Sequence, residues 1–172
     1  MSMSVELFGQ RARPDVDLST AAVAELCRHL DGLPLAVELA AARVRIMSVA
    51  ELARRLDDRF GLLRGSARHA PQRHHTLHAV VDWSWNLLDP AGQAAMRTLS
   101  VFTDGFTTDA VRLLLEALPA TTRRVDVLMV LDHLVDDSLI KVFDTPSGSR
   151  LRMLETVREF SAARLAAGGT TT

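Results

Sequence analysis

Cysteine is nearly missing from this 172-residue chain, and Cys27 is its one example. A single thiol excludes an internal disulfide framework and suits a reducing compartment. Cys27 falls inside a helical apolar pattern, which points to a buried structural thiol rather than a nucleophile. Lysine is just as scarce: of twenty basic residues only Lys141 is not arginine. That scarcity decides a chemical question. A phosphate-cradling P-loop needs Lys followed by Ser or Thr after a glycine-rich turn, and Lys141 stands between Ile140 and Val142 in a strand-like run. A Walker A site is therefore excluded, and nucleotide hydrolysis by this chain alone with it. No apolar run reaches bilayer length, and the opening "MSMSVELFGQ" has no signal-peptide character. A formal charge of −1 supplies no overall basic field for nucleic acid or membrane.

What is present reads as helix. The apolar share of 48% against 24% charged is ordinary for a soluble chain with a core. A short segment over 5–12 precedes a polar "RPDVD" break. Ser19 or Thr20 then N-caps a helix running to Leu30, ended by Asp31-Gly32, with Gly32 placed to adopt the left-handed C′ conformation. Pro34 restarts the chain at a first helical turn, where a missing N–H costs nothing. Leu35, Leu39, Ala42 and Ile46 form the expected apolar stripe. Ser48 to Glu51 is a capping box for "SVAELARRLDDRF", in which Glu51 can pair with Arg54 or Arg55.

"GLLRGSARHAPQRHH" reads as a linker and hinge on its Gly, Pro and scattered basic residues. It divides a helical domain at 1–68 from a second domain at 74–167, with 168–172 a disordered tail. In the second domain "TLHAVVDWSWNLL" is helical, Asp89-Pro90 starts a helix, and Thr107 or Thr108 caps "DAVRLLLEAL". "RRVDVLMVLDHLVDDSL" comes next, with Val127, Leu128, Leu131, Leu134 and Val135 facing inward. The period then changes from 3.6 to 2 at "LIKVFD" and "RLRML", separated by "TPSGS", before a last helix "LETVREFSAARLAA". The expected fold is mainly α: a helical bundle followed by a winged helix-turn-helix domain with one short β-hairpin.

Catalytic and metal chemistry find little support. His69, His74, His75 and His78 cluster, and His74 and His78 would share a helix face, yet no Cys or carboxylate lies near them in sequence, so solvated linker histidines are the expectation and no metal is predicted. No serine sits in a nucleophile elbow. The acid pairs Asp57-Asp58 and Asp136-Asp137 diverge by about 100° on a helix. No catalytic residue is assigned. DNA readout is the alternative from another class. Its recognition helix would be about 123–138, whose polar face carries Asp126, Asp132, Asp136 and Asp137, with Arg123 and Arg124 only at the N-terminal edge. Such a face repels a phosphate backbone. Arg150, Arg152 and Arg158 near the wing soften that objection, but DNA contact by this chain is not the expectation.

"LCRHLDGLPLAVELAAARVR" resembles the GLPLA segment of the NB-ARC or STAND class of signal-transducing P-loop ATPases. "DDRFGLLRG", "TLHAVVDWSWNLLDP", "LSVFTDGF", "LVDDSLIKV" and "RLRMLETVREFSAARL" continue the likeness in order. Together they resemble ATPase-containing SARP-type and LuxR-type transcriptional regulators of bacteria, especially actinobacteria, over about residues 5–167. The resemblance implies a cytoplasmic regulatory segment that follows a P-loop domain, with Walker A and Walker B upstream. It implies ATP or ADP with Mg as cofactor of the whole protein and none for this segment. The implied partners are the P-loop domain, other domains of the same protein and a second copy on activation, with no membrane. It places Gly32, Leu33 and Pro34 beside the adenine of the bound nucleotide. Without the resemblance, the same three residues are a tight inter-helix turn. Eukaryotic relatives end their winged helix with Met-His-Asp, whose histidine reaches the β-phosphate and latches the resting state. Met153, Leu154 and Glu155 stand there in this chain. Leucine donates no hydrogen bond, so a latch at Leu154 and Glu155 would need another group such as Arg152.

Overall fold

A computed structural model describes residues 2–64, 72–116 and 126–168; the side chains of 59–64, 72–74, 115 and 116 lie outside that description. The described chain is mainly helical and divides into two compact units, Met1–Leu87 and Leu88–Thr172.

Among the described residues the first unit holds five helices: α1 (Met3–Arg11), α2 (Ala21–His29), α3 (Pro34–Arg43), α4 (Val49–Arg64) and α5 (Gln72–Leu87). Their starts are local chemistry. Ser2 caps α1, the Thr20 hydroxyl accepts from the Val23 N–H, and the Ser48 hydroxyl accepts from the Glu51 N–H. Each satisfies an N–H that the first turn leaves without an intrahelical partner. Glu51 pairs with Arg55 one turn on, worth a few tenths of a kcal/mol.

Helix α3 is the centre of this unit, packing on α1 and α5. Every residue from Ala36 to Arg43 is buried. Four alanines make this arrangement feasible, because short side chains let neighbouring backbones approach on every side. The predicted one-sided stripe is therefore corrected. Ile46 lies beyond the end of α3 and is 73% exposed. Two charged residues share the burial, and the Arg43 guanidinium donates to the Ser84 carbonyl of α5 at 3.2 Å.

That bond bears on where the units divide. The sequence reading places the helix beginning "TLHAVV" in the second domain. In the structure α5 packs on α3 and α4, and the Thr76 hydroxyl donates to Asp31 at 2.7 Å. Ala79, Val80, Val81, Trp83, Ser84 and Trp85 are all buried. The division thus falls after Leu87 rather than at 68–74. The linker is also shorter at both ends, since α4 reaches Arg64 and α5 begins at Gln72. The rest of the predicted hinge, 65–71, lies outside the described residues, as do His69 and the side chain of His74.

The second unit runs α6 (Pro90–Leu99), α7 (Thr108–Glu116), α8 (Val127–Asp136), β1 (Ile140–Thr145), β2 (Gly148–Met153) and α9 (Glu155–Gly168). Asp89 caps α6 with Pro90 at its first position, and the Asp89 carboxylate accepts from the Gly92 N–H at 2.7 Å. The Thr107 hydroxyl caps α7 through the Ala110 N–H. The hairpin is antiparallel, with Ile140 opposite Met153, Val142 opposite Leu151 and Thr145 opposite Gly148. A segment not foreseen in sequence widens it. Phe106 exchanges both backbone hydrogen bonds with Leu151, at 2.8 and 2.9 Å. Gly105 is required there, because its φ is +93° and a Cβ would meet the Leu151 carbonyl at 2.8 Å. Packing of α6 on α9 and α8, and of α8 on β1, completes the winged helix-turn-helix arrangement. Helix α8 is shorter than the predicted recognition helix, and Arg123 and Arg124 lie outside the described residues. Leu128, expected inward, falls in its first turn and is 53% exposed. Helix α9 takes in Gly168, and the rest of the predicted tail, 169–172, lies outside the described residues.

Candidate functional site

The α2–α3 corner is built by a Schellman motif. The Gly32 N–H donates to the Cys27 carbonyl at 3.1 Å, and the Asp31 N–H to the Arg28 carbonyl at 2.9 Å. These are the two reversed bonds that satisfy the last carbonyls of a helix. Asp31 therefore holds the left-handed C′ position, with φ +54°, where the sequence reading placed Gly32. Gly32 comes next, also left-handed at φ +61°. Two consecutive positive-φ residues reverse the chain within one turn. Aspartate tolerates this backbone better than most residues, and its carboxylate is held by the Thr76 hydroxyl.

Leu33 then N-caps α3 with no side-chain hydrogen bond, and Pro34 occupies the first helical position. Proline removes one of the orphan N–H groups, leaving those of Leu35 and Ala36 at the helix end without a side-chain cap. Gly32 and Pro34 are exposed and Leu33 is half-buried. The three predicted corner residues thus form a fixed, open edge: an apolar rim beside the positive end of a helix dipole. Cys27 at the end of α2 is buried, and burial pushes its thiol pKa up, which disfavours the thiolate.

The other predicted residues lie in the second unit. Leu154 is half-buried, and its carbonyl accepts the Arg158 N–H at 2.8 Å. Glu155 opens α9 as an exposed first-turn acid, and its carboxylate binds both Nε and Nη2 of Arg158. That hydrogen bonding, before any other cause, lowers the Glu155 pKa. Arg158 also donates to the Ser100 carbonyl at the end of α6, at 3.4 Å. So Arg158, three residues on, is the cation that Glu155 meets. Arg152 instead lies over the Phe143 ring, 5.4 Å from its centroid. The signal for Arg158 was present as an acid-base pair spaced i,i+3. The signal for Asp31 was its place before glycine.

A second corner was not anticipated. At the end of α8 the Leu139 N–H donates to the Leu134 carbonyl and the Ser138 N–H to the Val135 carbonyl, both at 3.0 Å. Ser138 takes φ +59° there and is buried, as are Leu134 and Leu139. Among the described residues no group of three or more His, Cys, Asp and Glu is arranged to hold a metal ion, and no helix is long and apolar enough to cross a membrane.

No family model matches the chain. A Mycobacterium tuberculosis protein whose name places it among HTH-type transcriptional regulators is 45% identical over 175 residues, covering 96% of this chain and 19% of that protein. A Mycobacterium bovis protein of the same kind matches equally. A second M. tuberculosis protein, named only as uncharacterized, is 35% identical over 96% of this chain and 44% of its own length. The chain spans about a fifth of the regulators it resembles and under half of the other relative.

Proposed function

We propose that this chain is a regulatory segment of a cytoplasmic transcriptional regulator. The observation that carries the reading is that almost the whole chain aligns with a segment of a larger protein named as an HTH-type transcriptional regulator. In its finer form, the first unit is the docking partner of a P-loop ATPase domain of the STAND class. The Gly32–Leu33–Pro34 edge would face the nucleotide base, and movement of the winged-helix unit would expose or mask an effector surface.

The residues present suit only part of that task. An exposed proline, a half-buried leucine and an uncapped helix end offer an apolar edge and the Leu35 amide donor. They include no lysine and no serine or threonine placed for phosphate and Mg. ATP or ADP would be held chiefly by the upstream domain, and this segment would catalyse nothing alone. Calorimetric titration of the chain with ATP and with ADP is expected to give no micromolar binding; a micromolar isotherm would mean the site is already complete. Translation of the gene upstream of Met1 is expected to reveal Gly-x-x-x-x-Gly-Lys followed by Ser or Thr. Its absence would end the ATPase form of the proposal.

A second reading has an observation of its own. The relatives' name and the cations of the β1–β2 hairpin favour a winged helix that touches DNA. The exposed Asp132 and Asp136 of α8 weigh against groove insertion by that helix. Retardation of mixed duplexes at low salt, with a steep loss as salt rises, is what this reading requires.

A further inference from the structure

The two edges of the hairpin are finished differently. On the β2 edge Phe106 exchanges both backbone hydrogen bonds with Leu151, at 2.8 and 2.9 Å, so that edge is already paired. The same bonds fix the direction of the groups on β1. Backbone groups in an antiparallel ladder point alternately toward and away from the neighbouring strand. Leu151 donates its N–H to Phe106, so the residue opposite it, Val142, has its own N–H and C=O turned away from β2. Asp144, two residues on, repeats that direction. Neither residue gives its backbone groups to any other described segment.

This open edge is short and accessible. Val142 is 53% exposed and Asp144 is exposed, whereas Ile140 at the start of β1 is buried and Pro146 follows its end. The side chains of Val142 and Asp144 share one face of the strand. The Ser149 hydroxyl donates to one oxygen of the Asp144 carboxylate at 2.8 Å, which fixes its position.

We infer that this edge receives an extended basic segment of a partner protein, added antiparallel to β1 as a further strand. The inference depends on neither the nucleotide reading nor the DNA reading of the chain. Unpaired edge groups are a template for another strand. Strand addition takes its affinity from main-chain bonds and its specificity from alternate side chains. Val142 and Asp144 offer two such hydrogen-bonded positions. The fitting sequence carries Arg or Lys opposite Asp144 and a β-branched residue opposite Val142, which in antiparallel order reads Arg-x-Val. A second copy of this chain fits poorly. Symmetric registers that engage both residues, centred on Val142, Phe143 or Asp144, set the Asp144 carboxylate opposite Ile140, Val142 or Asp144 of the other copy. None of these supplies a cation.

The test is nuclear magnetic resonance of the isotope-labelled whole chain with the blocked heptapeptide Ser-Thr-Arg-Thr-Val-Thr-Ser at about 1 mM. The amides of Val142 and Asp144 are expected to exchange rapidly with solvent in the free chain, and to shift and become protected with peptide. N-methylation of the peptide valine is expected to weaken binding about tenfold by removing one main-chain bond. Asp144→Lys is expected to weaken it at least about fivefold, and Asp144→Asn, which keeps an acceptor for Ser149, by less. A peptide with Glu in place of Arg is expected to bind Asp144→Lys better than it binds the parent. Circular dichroism checks that both variants stay folded. Slow exchange of the two amides before peptide is added would show the edge already covered and overturn the inference. Protection that rises with chain concentration alone would assign the edge to a second copy and overturn it as well. So would an unchanged affinity for the N-methylated peptide, or shifts that spare Val142 and Asp144. Binding indifferent to both Asp144 variants would overturn the basic character of the partner.

Discussion

Two corners of this molecule use the same backbone hydrogen bonds for opposite ends. The α2–α3 corner and the α8–β1 corner are both Schellman motifs with a non-glycine residue, Asp31 or Ser138, in the left-handed position. At the first, the chain leaves into Gly32 and Pro34, both exposed, and starts a new helix. At the second, Ser138, Leu139 and Ile140 are all buried and the chain enters a strand. Identical local bonding therefore does not distinguish an open edge from a buried joint. The residues that leave each corner make the distinction. Proline cannot continue a ladder and fixes φ for a helix start, whereas Leu139 and Ile140 carry the chain into the core.

The comparison is broken most severely by removing the apolar joint at the buried corner. Leu139→Ala is expected to destabilise by about 2–4 kcal/mol, because a fully buried leucine leaves a cavity. Urea denaturation followed by circular dichroism reads this directly, and a change below 1 kcal/mol would mean the corner is not sealed. At the open corner, Gly32→Ala is expected to lose about 1–2 kcal/mol. Its φ is +61°, and a Cβ would approach the Ser4 hydroxyl at 3.1 Å.

Substituting glycine at the C′ positions sharpens the comparison. Ser138→Gly is expected to gain about 0.5–1 kcal/mol by relieving the left-handed backbone. Asp31→Gly is expected to gain less or to lose, because it also deletes the hydrogen bond from Thr76. Equal gains at both sites would show that the Asp31–Thr76 bond contributes nothing to holding the open edge.

The smallest effect is a pH dependence at the start of α9. Hydrogen bonding to Arg158 lowers the folded-state pKa of Glu155. A lowered carboxyl stabilises the fold above its ordinary value and loses that contribution as pH falls through the lowered one. In urea unfolding followed at several pH values, Glu155→Gln is expected to lose this small contribution at neutral pH and to match the parent at acid pH, so that the dependence in that window flattens. Because Glu155 is exposed, screening by salt keeps the effect small.

Much of the fold was legible because it is written locally. Thr20, Ser48, Asp89 and Thr107 cap the helices that their positions suggested, and Pro34 and Pro90 begin helices as their fixed φ requires. The hairpin showed in the change of period from 3.6 to 2, and its register agrees with the short turn at its tip. The open corner was legible from Asp31, Gly32 and Pro34 as a bend, though not in its assignment of the C′ residue. Both the caps and the bend involve groups within five residues of one another, so the order of residues is enough to specify them.

Other features depend on groups far apart in the chain, and neighbours in sequence carry no record of them. The Arg43–Ser84 and Thr76–Asp31 bonds join residues 41 and 45 apart, and they tie α5 to the first unit where its sequence position suggested the second. The burial of α3 on every side, the exposure of Ile46 and Leu128, and the pairing of Phe106 with Leu151 are likewise set by which elements happen to meet. Periodicity shows that a helix has an apolar face; it does not say how many partners surround it. Here the residue order decided where helices and strands begin and end, through capping, fixed φ and side-chain alternation. The packed unit decided which faces are covered, since burial depends on surfaces brought together from distant parts of the chain.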